Sequence, residues 1–305
     1  MSATLQDCED QHLSFRTNCV VNAFLCFTAI TLNCITIHAL RKTLSLQKPL
    51  RTLLLSLAVS DLGTGLIAQP LYVALLGIAL EQCTKDNRNF DMVYKGFIIT
   101  LNLFTIATYA GVMALTVDRF LSIHLHLRYR ELVTQTRVIA VAIFNWVLAA
   151  FLSFLRLLIP RKISYGIFAI IKASSLIIAT TLYFKIYRTV RRHARQIHSQ
   201  HVRQEAGNSP REDAARMRKF VTVTFFVYLT FLLCYLPSVG TLMAVAITGQ
   251  SKTTEIWRSY TLTLLLLNSS LNPLIYCWKM RQIRHTVIEI LRHPLRCCRP
   301  EIGQT

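Results

Sequence analysis

Asp118 and Arg119 close a run, Gly96 to Val117, that carries no charge across 22 positions. Ionisable groups at the end of such a run pair with one another, snorkel to water or serve a mechanism, because charge buried near lipid is expensive. A second carboxylate, Asp61, sits inside Leu57-Ala58-Val59-Ser60-Asp61-Leu62. An isolated ionised Asp at that depth needs a cation, a proton or a hydrogen-bond cluster. Asn268, Asn272 and Tyr276 are spaced by four and form one polar ridge on an otherwise oily helix. With Thr108 and Ser269 they offer oxygen ligands of the kind that suit a hard cation at Asp61. Ion pairing and cation binding are the chemistry these residues point to.

The elements that must position them are membrane helices. The 305 residues are 53% hydrophobic and 16% charged, with mean hydropathy +0.41, too oily for an ordinary soluble protein of this length. Twenty-two apolar-dominated residues match the roughly 20 that cross a bilayer as a helix. The net charge of +19 does not indicate a nucleic-acid partner, since the basic residues fall mostly between apolar spans. Of the 34 Lys and Arg, 24 lie on one side, which the positive-inside rule makes cytoplasmic.

Seven spans are expected. Residues 1–17 are polar, lack the pattern of a signal peptide and form an extracellular N-terminus, so the first span acts as its own insertion signal. Span one runs from about Asn18 to Leu40, with Asn33 as a packing hydrogen bonder, and Pro49 opens span two. Span three ends at Asp118-Arg119, and Thr105, Thr108, Val112, Leu115 and Arg119 share one of its faces. Span four, Val138 to Leu155, holds Trp146, and Arg156, Arg161 and Lys162 make the outer rim there basic. The following outer loop, Ile159 to Ser164, is too short for a lid. Lys172, within span five (Tyr165 to Tyr187), is expected to snorkel. The third inner loop is basic, and its His193, His198 and His201 are read as part of a solvated basic helix near acidic lipid rather than a metal site. Span six contains Pro237, a kink and natural hinge, and span seven runs from Ser259 to Trp278. Residues 279–305 form a cytoplasmic tail, opened by a basic amphipathic segment, Lys279 to Leu291, that lies along the inner leaflet. Cys297-Cys298 beside Arg296 and Arg299 has the look of a palmitoylation site. The expected fold is an all-α membrane protein, a seven-transmembrane helix bundle with an amphipathic, membrane-parallel eighth helix.

Several of these motifs also carry a resemblance. Asp118-Arg119-Phe120 resembles Asp-Arg-Tyr, Leu57 to Asp61 resembles Leu-Ala-x-x-Asp, and Cys234-Tyr235-Leu236-Pro237 resembles Cys-Trp-x-Pro. Asn272-Pro273-Leu274-Ile275-Tyr276 is an unmodified Asn-Pro-x-x-Tyr. Over about residues 18–298 the chain is similar to rhodopsin-like (class A) G-protein-coupled receptors. Its short second outer loop and Pro-less fifth helix look most like the melanocortin, adenosine, cannabinoid and lysophospholipid branch. The resemblance implies a plasma-membrane receptor, not an enzyme, with an extracellular ligand and a heterotrimeric G protein as partners. It makes Asp118, Arg119, Tyr183, Pro237, Asn272, Pro273 and Tyr276 the switch, with helix six moving outward. It makes the hard cation an allosteric sodium ion held by Asp61, Thr108, Asn268, Ser269 and Asn272, with no other cofactor. By family position the ligand pocket is Leu101, Asn102, Thr105, Ile167, Tyr235, Ser238, Val239, Leu242 and Leu262, mostly apolar and compatible with a lipid, a peptide or another small molecule. Leu101 stands where amine receptors carry an Asp, which disfavours a biogenic amine.

Departures from the family pattern set further expectations. The family disulfide is missing, and Cys8 or Cys19 with Cys83 is the replacement pairing, free thiols being the alternative. Ser175 replaces the mid-helix Pro of span five, so the usual bulge is expected to be absent. Met217 replaces an acid that locks the helix-three Arg in many relatives, which implies basal signalling. A non-coupling, receptor-like decoy and a transporter are the alternative functions. The transporter would require repeat symmetry and Gly-interrupted helices, and the sequence shows neither.

Overall fold

The computed structural model describes residues 2–43, 46–81, 88–125, 128–201 and 209–297. Helix α1 (Ser2–Lys42) is followed by α2 (Lys48–Gly63), a π-helical turn (Thr64–Ala68) and α3 (Gln69–Glu81), which together make the second span. Then come α4 (Arg88–His124), the short α5 (Tyr129–Leu132), α6 (Gln135–Leu158), α7 (Arg161–His201), α8 (Ser209–Thr248), α9 (Lys252–Lys279) and α10 (Arg281–Cys297). Among the described residues, six spans are long and apolar enough to cross a membrane. The seventh, α9, has 28 residues, and its hydropathy is diluted by Asn268, Ser269, Ser270 and Asn272. Those side chains point inward and are buried.

The helices run on past the lipid-sized segments read from hydropathy. In α1, Ser14 and Asn18 are buried against α9 rather than left in water, so the packed part of the helix starts before the expected boundary at residue 18. Asn22 donates to Thr263 at 2.7 Å and Asn33 to the Ser269 carbonyl at 2.8 Å, so a hydrogen-bonded seam joins the first span to the last. α9 packs in turn on α8, α8 on α7 and α7 on α4, which closes the bundle. α4 is its axis. More than half of its membrane segment, 56%, is buried, against 17% for α6, whose Ile143, Phe144, Val147 and Phe151 face outward.

Local chemistry sets the breaks. Pro70 has no N–H to donate, and the backbone before it widens into the π-helical turn, where Gln69 N–H reaches back five residues to the Thr64 carbonyl. α8 stops at Gly249, whose φ of +84° is the left-handed conformation that glycine adopts most readily. Only Ile159 and Pro160 connect α6 to α7, a link even shorter than the expected loop. α9 starts with a capping box, in which the Ser251 hydroxyl accepts from Thr254 N–H at 3.2 Å and the Thr254 hydroxyl from Ser251 N–H at 2.8 Å. α10 buries Ile283 against α1 and α9, as its amphipathic pattern leads one to expect.

One close approach is testable. A Cβ at Gly63 would run into the Phe104 ring, which is itself wedged edge-on against Trp146, so the ring has little room to yield. Gly63→Ala is expected to cost about 1–3 kcal/mol, typical of overpacking. Thermal unfolding of the solubilised receptor should show the loss, and Phe104→Leu in the same chain should recover part of it. An unchanged midpoint for Gly63→Ala would show that α2 and α4 are not in contact there.

Candidate functional site: an inner switch and an outer pocket

At the inner end of α4, Arg119 is 1% exposed and grips the Asp118 carboxylate through two nitrogens. The Nε contact is 2.9 Å, and Nη2 meets the same Oδ2. The other carboxylate oxygen accepts from the Tyr129 hydroxyl at 2.7 Å. Burial, helped by the adjacent carboxylate, pushes the Tyr129 phenol above its ordinary pKa, so it remains a protonated donor. α5 exists to deliver that hydroxyl. Tyr129 was not singled out as a switch residue in the sequence; the signal available was an aromatic ten residues past Arg119, inside an otherwise basic inner loop.

Tyr183 on α7 donates to the Thr224 carbonyl of α8 at 2.8 Å and stacks on Tyr228, with ring centroids 4.2 Å apart. Tyr276 on α9 is completely buried, and its hydroxyl has no hydrogen-bond partner among the described residues. Phe120 turns away from this cluster and packs on His124. The Met217 side chain lies outside the described residues, as do the side chains of Cys8, Cys83, Cys297 and Cys298. Cys19 carries a free thiol near the Val73 carbonyl, which removes the Cys19–Cys83 pairing and leaves Cys8–Cys83 as the form of that expectation still open.

Midway along the bundle, Asp61 is fully buried. Asn272 donates to its Oδ2 at 2.8 Å, and Ser269 stands beside the same carboxyl group. Oδ1 of Asp61, Oδ1 of Asn268 and Oδ1 of Asn272 have no hydrogen-bond partner among the described residues. Three orphaned, buried oxygens on two facing helices are what an oxygen-liganded cation needs. Thr108, also in the expected ligand set, shares a hydrogen bond with Ser60 at 3.1 Å.

The outer half of the bundle holds a cavity that is partly open to the outside. Of the residues expected there, Leu101, Asn102, Ser238, Leu242 and Leu262 line it. Thr105, Tyr235 and Val239 do not. They are buried near it, Tyr235 packing on Tyr109 and Phe231 with centroids 4.8 and 4.2 Å apart. Ile167 is a correction: it is 39% exposed on the outer face of the bundle. The reason is the missing proline. α7 keeps an uninterrupted α-helical phase, so Tyr165, Phe168, Ala169, Lys172 and Leu176 form its inward stripe and 167 falls outside it. Lys172 is the second correction. Rather than snorkelling, it is 8% exposed and faces the pocket. Arg156 and Arg258 line the same cavity, so an otherwise largely apolar wall carries three cationic side chains.

Seven long helices among the described residues, with a buried ion pair at one end and a cavity at the other, define a polytopic membrane protein of the seven-helix receptor class. The chain belongs to the 7 transmembrane receptor (rhodopsin family), whose model matches residues 32–165 and 159–276. It is 26% identical over 273 residues to melanocortin receptor 4 of Danio rerio, covering 87% of this chain and 79% of that one. It is 26% identical to the histamine H2 receptor of Cavia porcellus (83% and 73% covered) and 24% identical to adenosine receptor A3 of Ovis aries (92% and 91%). These relatives are receptors and not enzymes, and family membership also sets aside a transporter.

Proposed function

We propose that this chain is a plasma-membrane receptor that takes an extracellular ligand into the outer pocket and activates a heterotrimeric G protein at the inner switch. The observation that carries the reading is α4 itself. Leu101 and Asn102 line the pocket and Arg119 holds the inner ion pair on one continuous helix, about 27 Å apart at 1.5 Å per residue. A ligand that binds the open bundle better than the closed one shifts the equilibrium between them, and a ligand indifferent to the two shifts nothing. Pro237 in α8 is the hinge. When α8 swings outward it parts from α7 at Tyr183 and Thr224, and Arg119 is released to a G-protein helix with Tyr183 and Tyr276 alongside. The basic bias of the inner loops supports a cytoplasmic C-terminus and an extracellular N-terminus.

The buried oxygens of Asp61, Asn268 and Asn272, with Ser269, fit a sodium ion, which would neutralise the Asp61 charge and favour the closed bundle. Cys297 and Cys298 would anchor the tail to the inner leaflet once acylated. The three relatives are named for different ligands, so their names do not choose one for this chain.

Coupling is tested without a ligand. Membranes bearing the receptor are expected to drive nucleotide exchange on at least one G-protein family above mock membranes. An N-terminal epitope should be readable on intact cells. Exchange no higher than mock across all families, with surface display verified, would overturn coupling and favour the decoy. An epitope readable only after permeabilisation would overturn the orientation.

A further inference from the structure

Within the receptor reading on which this rests, we infer that the outer pocket recognises an anionic amphiphile, an oxyanion head on an aliphatic tail. Three cationic side chains, Arg156 from α6, Lys172 from α7 and Arg258 from α9, converge on one cavity. No Asp or Glu lines it, and the single ion pair among the described residues is the distant Asp118–Arg119.

Neutral groups hold two of the three cations in place. Arg156 donates to the Asn102 side-chain Oδ1 at 2.8 Å and lies over the Phe168 ring, 4.7 Å from its centroid. Arg258 donates to the Tyr165 hydroxyl at 3.2 Å. These contacts orient the guanidinium groups and leave their charge uncompensated. Lys172 is more exacting still. It is more than nine-tenths buried, makes no hydrogen bond to any described residue and faces the cavity. An ammonium withdrawn from water in that way calls for an anion beside it. Guanidinium forks suit the two oxygens of a carboxylate or a phosphate, and the ammonium adds a point charge. Ser238, Thr241 and Thr261 add hydroxyls, and the remaining wall is aliphatic: Ile98, Leu101, Leu242, Val245, Leu262 and Leu265. A free inorganic anion would leave that surface unused, and a neutral hydrocarbon would leave three charges unmet.

The test uses full-length receptor in nanodiscs of neutral phosphatidylcholine, with binding read by thermal unfolding. The probes are dodecanoate and dodecyl phosphate, against dodecanol, dodecyltrimethylammonium and inorganic phosphate. The two anionic amphiphiles are expected to raise the unfolding midpoint and the three controls to leave it unchanged. Whichever of the two acts at lower concentration identifies the head as carboxylate or phosphate. Lys172→Gln and Arg258→Gln are expected to raise the half-saturating concentration roughly tenfold or more each, and Lys172→Arg to lose much less. The unliganded midpoint of each variant checks that it folds. Dodecanol stabilising as well as dodecanoate, inorganic phosphate matching dodecyl phosphate, no midpoint shift with either anionic amphiphile, or unchanged binding in Lys172→Gln would each overturn the inference. Because binding is read without a G protein, an anion that stabilises the receptor but never alters nucleotide exchange refutes the coupling reading alone. Basal exchange with no anion binding refutes this inference alone.

Discussion

Receptor carrying Arg119→Ala is expected to lose G-protein activation altogether, with nucleotide exchange falling to the level of mock membranes. Asp118→Asn is expected to move the other way and raise basal exchange several-fold. The opposite signs follow from the geometry. In the proposed mechanism Arg119 is the group presented to the G protein, and Asp118 restrains it by accepting from Arg119 Nε and Nη2. A buried, charge-assisted hydrogen bond contributes roughly 1.5–3 kcal/mol, a shift of about ten- to a hundredfold in the balance of held and released arginine. Tyr129→Phe should raise basal exchange less, since it removes only the neutral donor 2.7 Å from the second carboxylate oxygen. Removing one member of a buried pair also destabilises, so surface display and unfolding midpoints must be matched across the series. Exchange that survives Arg119→Ala at equal display would remove the arginine from the mechanism. Asp118→Asn that stays at the wild-type basal level would show that the pair is not the restraint.

The second large effect concerns Asp61. Sodium chloride is expected to raise the receptor's unfolding midpoint relative to choline chloride at the same ionic strength, and Asp61→Asn is expected to abolish the difference. Binding to the folded state alone adds about 1.4 kcal/mol when sodium is tenfold above its dissociation constant. For a chain of this size that is roughly 2 °C. Asn is preferred to Ala because Asn272 already donates to Oδ2 at 2.8 Å, and a shortened side chain would strand that amide as well. Sodium should also weaken an agonist that favours the open bundle, by linkage. Equal midpoints in the two salts for the unmodified protein would refute the ion site and leave a protonated Asp61 bonded to its neighbours.

Much of this was legible before any coordinates. Charge and amide groups within lipid-sized apolar runs are few and expensive, so Asp61, Arg119 and Asn272 announce themselves by position alone, and all three are buried in contact with partners. Span ends were less legible. Hydropathy marks where lipid ends, whereas α1 and α7 continue as helices to Ser2 and His201 because backbone hydrogen bonding does not stop at the interface. Pocket membership depends on helical phase. Ile167 was misplaced because positions were carried over from helices with a bulge, although Ser175 in place of proline already indicated a regular helix. The cationic wall is not evident from the sequence because Arg156 reads as rim and Lys172 as a snorkelling side chain. Their common signal was present: basic residues on the outer side run against the positive-inside bias.

The seam between α1 and α9 has a consequence for how the protein is made. Asn18, Asn22 and Asn33 leave the ribosome early, yet their partners Thr263 and the Ser269 carbonyl lie 236 to 245 residues downstream. At 5–20 residues per second those groups emerge roughly ten seconds to a minute later. Until then the three amides have only their own helix to bond, through the carbonyls of Ser14, Asn18 and Ala29. The first segment threaded into the membrane is therefore the last to be fully satisfied, and a nascent chain truncated before α9 would present an amide-lined flank to lipid and to quality control.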